Sequence, residues 1–208
     1  MHGLVNRAIQ SFVTNTYGGA CWRRVTEAAG LGDFEFEAML LYDDAVTEAL
    51  LTAFCANLGR GRCEVLEDLG TYLVSHPAVK SLRRLLRFGG DTYMDFLHSL
   101  NDLNDRARLA VPDLHLPALE LREDGGGRCL LTCGPGMPGF GWVMIGILRA
   151  MADDYGALVM LEHDGPQCGA DTEATGGDDD DAGEVIAVTL VESAFAAGRA
   201  FDLGARAG

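Results

Sequence analysis

The sequence predicts an α+β fold in which helices cover one face of an antiparallel sheet. Two observations carry this. Up to position 108, apolar residues recur at helical spacing, in segments stopped by Gly-Gly and His-Pro pairs. From position 117 the pattern changes to short alternating or continuous apolar runs separated by glycine-rich turns, with one more helical segment among them. A length of 208 residues fits one domain with room for a cofactor-sized pocket. No internal repeat is visible.

Each element has its own signal. Over 3–16, Leu4, Val5, Ala8, Ile9, Phe12 and Val13 form one apolar stripe, and Tyr17-Gly18-Gly19 stops it. A second helix is expected over 20–29, ended by Gly30. Residues 33–58 hold a turn and more helix, with Asp43-Asp44 as a start and Gly59 as a stop. Residues 62–75 turn Val65, Leu66, Leu69 and Leu73 inward, and His76-Pro77 breaks the chain. A short basic helix over 78–87 carries Lys80, Arg83, Arg84 and Arg87. After Gly89-Gly90, Asp91 or Thr92 can cap a helix running to about 108. "PALELRED", "GGG" and "RCLLTC" read as a hairpin, 139–154 as a helix, and "ALVMLEH" and "EVIAVTLVES" as two further strands.

Charge and cysteine usage exclude some classes. The formal net charge is −15, and no basic stripe exists to neutralise phosphates, so nucleic acid and anionic membranes are poor partners. The run Asp178 to Asp181 reads as a solvated loop. The N-terminus lacks a basic start followed by a long apolar stretch, and no run approaches the roughly 18 residues of a membrane span. A cytoplasmic protein is expected. Cys21, Cys55, Cys63, Cys129, Cys133 and Cys168 show no C-x-x-C pair, and are read as reduced, mostly buried thiols.

No phosphate loop, nucleophile elbow or H-E-x-x-H motif is present. A zinc site built from Cys129, Cys133, His163 and Cys168 is the weaker reading beside free thiols, because Cys129 and Cys133 stand too far apart for a zinc knuckle. Asp43-Asp44 reads as cap and dipole partner, not as a catalytic acid pair. The residues by themselves point to no enzyme.

Several stretches together carry a resemblance: "MHGLVNRAIQSFVTNTYGGACW", "LLYDDAVTEAL", "EVLEDLGTYLV" with Gly70 at its centre, "LLRFGGDTYMDFLHSLNDLNDRARLAVPDLHLP" and "FGWVMIGILRAMADDYG". In order and spacing they resemble the H-NOX family, the haem–nitric oxide/oxygen binding domains. The likeness covers about 1–195. It implies a single domain with a helical N-terminal lobe over 1–60, a cofactor-pocket lobe with a four-stranded antiparallel sheet over 61–195, and a tail over 196–208. It further implies a non-enzymatic sensor that holds haem b and controls a histidine kinase, a diguanylate cyclase or a chemoreceptor through a ligand-driven shift of the lobes.

Two family motifs are changed. The position of the iron-ligating histidine is Asn104, and an amide oxygen is a hard, weak donor. The family's Tyr-x-Ser-x-Arg propionate clamp aligns with Cys133, Pro135 and Met137, which offer no cationic fork. His98 falls about 120° round the helix from Asn104, leaving His115 in the proline loop and His2 on the distal side as weak stand-ins. The resemblance assigns Val5, Ile9, Leu73 and Val143 to the distal wall. Leu100, Leu103, Pro117 and Leu119 fall on the proximal side. With no distal tyrosine, a bound haem would favour nitric oxide or carbon monoxide over O₂. The expectation is that haem binding is weak or lost. The alternatives are a pocket taking another hydrophobic ligand, or a ligand-free interaction scaffold.

Overall fold

The computed structural model describes residues 1–164 and 183–199. The chain begins with α1 (Gly3–Tyr17), α2 (Gly19–Ala28), α3 (Asp44–Leu58) and α4 (Arg62–Ser75). A 3-10 turn, Pro77–Val79, leads into α5 (Lys80–Arg87). Next come α6 (Tyr93–Ser99), a second 3-10 turn (Leu100–Asp102) and α7 (Leu103–Ala110). The remaining elements are β1 (Leu119–Gly125), β2 (Arg128–Cys133), α8 (Phe140–Tyr155), β3 (Leu158–Asp164) and β4 (Glu184–Glu192). The strands lie in the order β1-β2-β4-β3, and every pairing is antiparallel.

Local chemistry explains the ends. Asp43 accepts from the Ala45 amide at 3.0 Å and starts α3. Thr92 and Asp95 form a reciprocal capping box on α6. The helix expected to run to 108 is instead interrupted at Leu100–Asp102. There Asn101 turns its Oδ1 to the Leu121 amide at 2.7 Å, and Arg106 reaches back to the Ser99 carbonyl at 2.7 Å. The Asn101–Leu121 bond ties the break to β1, and the Arg106–Ser99 bond spans it. Residues 31–43 form a loop with one bridge, His2 to Leu41, and helix resumes only at Asp44.

Two hydrophobic clusters form the core. One joins α1, α2, α3 and most of α4 through Ile9, Phe12, Leu50, Phe54 and Leu69. The other lies between the sheet and α8, with α6 and α7 closing it, through Phe96, Leu100, Leu131, Met144 and Leu148. The crossing of α4 and α8 connects them. A Cβ on Gly70 would lie 2.0 Å from the Val143 carbonyl oxygen, and one on Gly146 would lie 2.0 Å from that of Glu67. Only glycine lets the two helix backbones touch there.

The reading of six free thiols needs one correction: Cys63 is disulfide-bonded. Cys21, Cys55, Cys129 and Cys133 are free. The aspartate run, Cys168 and most of the tail lie outside the described residues. Among the described residues, no helix is long and apolar enough to cross a membrane.

Candidate functional site

Asn104 is the second residue of α7. Its Nδ2 donates to the Leu116 carbonyl at 3.2 Å and the Pro117 carbonyl at 3.1 Å. The amide therefore holds the proline loop down on the helix. Its Oδ1 is buried without a partner among the described residues. The neighbouring helix face is packed solid: Leu100 and Leu103 sit in the sheet cluster with Met144 and Leu148, and Leu119 joins it from β1. Pro117 is buried. His115 is exposed, with Nδ1 2.9 Å from the Asp113 carbonyl, so the loop turns this ring to solvent and not inward. His98 is also exposed and pairs with Glu123 at 3.0 Å.

The three clamp positions are scattered. Cys133 ends β2, paired with Leu119 on one side and Glu184 on the other, and is fully buried. Burial, with a smaller contribution from Glu184, pushes its thiol up to about 12, so it is neutral at ordinary pH. Pro135 is exposed. Only Met137 faces a cavity.

That cavity, about 340 Å³, lies between α1, α3, α4 and the start of α8. Its apolar wall includes Val5, Ile9, Leu66, Leu69, Met137 and Val143. Arg62, paired through both guanidinium nitrogens with Glu48 at 2.6 and 2.8 Å, stands at the polar side with Asp44 and Thr47. Leu73 is not on the wall; it is half-buried against the N-terminal cluster. His2 caps α1, its Nδ1 accepting from the Leu4 amide at 3.2 Å. That nitrogen is spent on the helix end and is not free for a metal. The fold thus brings Val5, Ile9, Val143 and Met137 to one cavity, and leaves Asn104, Leu100, Leu103, Pro117 and Cys133 off its wall.

One family model, Haem-NO-binding, matches residues 2–163. The chain belongs to this family. Soluble guanylate cyclase 89Db of Drosophila melanogaster is 21% identical over 173 residues, which are 81% of this chain and 26% of the relative. Soluble guanylate cyclase gcy-31 of Caenorhabditis elegans is 25% identical over 118 residues, 57% of this chain and 17% of that protein. The chain thus spans about a quarter or less of the curated relatives it matches. Among solved structures, a Cs H-NOX mutant carrying 4-cyano-L-phenylalanine at site 5 superposes with a TM-score of 0.74 at 11% identity, covering 95% of this chain and all of that one. An H-NOX protein from S. oneidensis in the Fe(II)NO state gives 0.71 at 15% identity, covering 91% and 99%. These structures share the fold.

The haem-NO-binding family gives the geometry a reference. A haem needs a basic donor for iron and cations or donors for its carboxylates. At position 104, which the resemblance assigns to the iron ligand, the amide nitrogen is committed to two carbonyls, and only a weak oxygen donor is left. At the clamp a neutral thiol, an exposed proline and a thioether replace the fork. These residues do not fit a histidine-ligated haem.

Sequence reasoning missed one polar assembly. His163 on β3 stacks on Trp142 at 4.3 Å, and its Nε2 lies 2.8 Å from Glu184, whose other oxygen accepts from the Gly139 amide at the start of α8. The i,i+21 spacing of His163 and Glu184 gives no local signal. Among the described residues, no group of three His, Cys, Asp or Glu is placed to hold a metal, and Cys168 of the zinc reading lies outside them.

Proposed function

We propose that the chain is a non-catalytic signalling module of the haem-NO-binding family that has given up histidine-ligated haem and uses the cavity behind α1 to bind a smaller apolar ligand. The observation that carries this reading is the division of the family's pocket. Asn104, half-buried, is tied to the proline loop beside the packed Leu100 and Leu103, while Val5, Ile9 and Val143 still border about 340 Å³ of space. That volume falls in the range of small-molecule sites, roughly 300–1,000 Å³. Filling it would favour one placement of α1 and α3 relative to α8 over another, and the free energy available for signalling is that difference in binding. The partner implied is a signalling protein such as a histidine kinase, a diguanylate cyclase or a chemoreceptor.

The test is an absorption spectrum of the purified protein with haemin and dithionite, then with nitric oxide. No sharp Soret band should survive desalting. A stable ferrous band that shifts with nitric oxide would overturn the loss of haem. The apolar ligand is tested with the dye 1-anilinonaphthalene-8-sulfonate. Fluorescence enhancement should be lost in Val143→Phe, which fills the cavity, with thermal stability kept. Equal enhancement in both proteins would leave the ligand-free scaffold as the better reading.

A further inference from the structure

The loop between α2 and α3 exposes apolar side chains in an unusual way. Met39, Leu40 and Leu41 are 71%, 50% and 73% exposed, and Phe34 is 36% exposed. Three consecutive exposed apolar residues are not the scattered kind that any surface carries. The loop is also well built. Phe34, Phe36 and Tyr42 pack ring against ring, with centroids 5.1 to 6.2 Å apart. The Tyr42 hydroxyl accepts from the Glu37 amide at 2.9 Å, and Gln10 on α1 accepts from the Phe36 amide at 3.1 Å. The Leu40 carbonyl accepts from the Gly3 amide at 2.7 Å. Packed aromatic rings and hydrogen bonds thus hold the Met39–Leu41 side chains outward, so little ordering cost remains for a partner that covers them.

Charge selects the partner. Asp33, Glu35, Glu37, Asp43 and Asp44 flank the apolar residues, and no Lys or Arg occurs between positions 25 and 59. Two cations reach the loop: the Met1 ammonium pairs with Asp44 and donates to the Tyr42 carbonyl at 2.7 Å, and Arg7 is turned to the Phe36 carbonyl at 3.4 Å, which leaves Asp33, Glu35, Glu37 and Asp43 as the acidic frame. An apolar patch in a frame of carboxylates repels anionic surfaces and complements an apolar face edged with Lys or Arg. We propose that the Phe34–Asp44 loop is a docking surface for a basic amphipathic helix of a partner protein. The segment that pairs with the loop, Met1 to Val5, also borders the cavity, so docking and cavity share a structural element.

The experiment uses the full chain and a fluorescent 18-residue peptide of Leu and Lys in helical amphipathic order, read by anisotropy. A Leu/Glu peptide of the same pattern is the control. Binding of the Leu/Lys peptide is expected, with at least a tenfold loss in Met39→Ser/Leu41→Ser. Leu109→Ser, at a residue 88% exposed on α7, should bind as the parent does. Asp33→Asn/Glu35→Gln/Glu37→Gln should bind more weakly and with a flatter salt dependence. Three results overturn the proposal: equal losses in Met39→Ser/Leu41→Ser and Leu109→Ser, equal binding of the Leu/Glu peptide, or no binding at low salt. Self-association in sedimentation that Met39→Ser/Leu41→Ser disperses would make the occupant a second copy, and would also overturn it.

Discussion

Substituting Asn104 tells a clamp from a spare ligand. Its amide donates two hydrogen bonds, at 3.2 and 3.1 Å, and its Oδ1 is buried without a partner among the described residues. Each donated bond is worth about 0.5–1.5 kcal/mol net, and burying an unpaired polar atom costs about 1–3 kcal/mol. Alanine removes both effects, and they partly cancel. Asn104→Ala is therefore expected to cost only about 1 kcal/mol. Asn104→Asp keeps the shape, loses both donors and sets an oxygen against two carbonyl oxygens. The lost bonds and the new unpaired acceptor together give about 3–5 kcal/mol. The carboxyl faces only acceptors, so its folded pKa lies above its unfolded value of about 3.9. With that sign, Asn104→Asp is most nearly tolerated below the unfolded value, and its deficit grows as pH rises through the folded one. Urea denaturation of parent, Ala and Asp proteins near pH 4 and at about pH 8 measures all three terms. Equal cost for Ala and Asp at the higher pH, or a deficit for Asp that shrinks as pH rises, would refute the clamp.

Three other outcomes are expected. Gly70→Ala forces a Cβ onto the Val143 carbonyl and should cost about 3 kcal/mol, seen as a large fall in Tm. Asp154, 1% exposed, pairs with Arg83 at 2.7 Å and Arg87 at 3.6 Å, and Arg87 also lies 3.9 Å from the centre of the Tyr155 ring. Asp154→Ala breaks a buried charge cluster and should cost about 3–5 kcal/mol in chemical denaturation. Cys133 has a folded pKa of about 12 against an ordinary 9.0, so its contribution to stability is full below 9.0 and is lost as pH rises toward 12. The fall in stability across that window should be smaller in Cys133→Ala, and iodoacetamide should leave Cys133 unmodified in the native protein at about pH 8.

Local signals made much of the fold legible. Asp43, Thr92, Gly18 and Gly59 act at helix ends within a few residues of where they stand, so the sequence around them suffices. The break between α6 and α7 was not legible, because Leu97, Leu100, Leu103 and Ala107 keep helical spacing straight through it. Its cause lies at Leu121, twenty residues away from Asn101. The same holds for the Asp154 cluster. Arg83 and Arg87 read as one face of a basic helix, and nothing near them announces a buried carboxylate 71 residues later in the chain. The Cys63 disulfide escaped because spacing was the sole guide to pairing.

The site was legible by halves, for a physical reason. Distal positions act by shape alone, and an apolar residue at Val5, Ile9 or Val143 keeps its meaning whatever the cavity holds. Proximal positions act by donor chemistry, so a change at 104 transfers the residue to another task. An asparagine there is more than a missing histidine. An imidazole has at most one N–H to give while it ligates, whereas the amide gives both of its protons to the Leu116 and Pro117 carbonyls. Those bonds fix the loop directly against the helix. Leu100 and Leu103 then lie in a continuous core with α8. The α7 side belongs to the scaffold, and the cavity behind α1 keeps open space bordered by Met137 and Leu69.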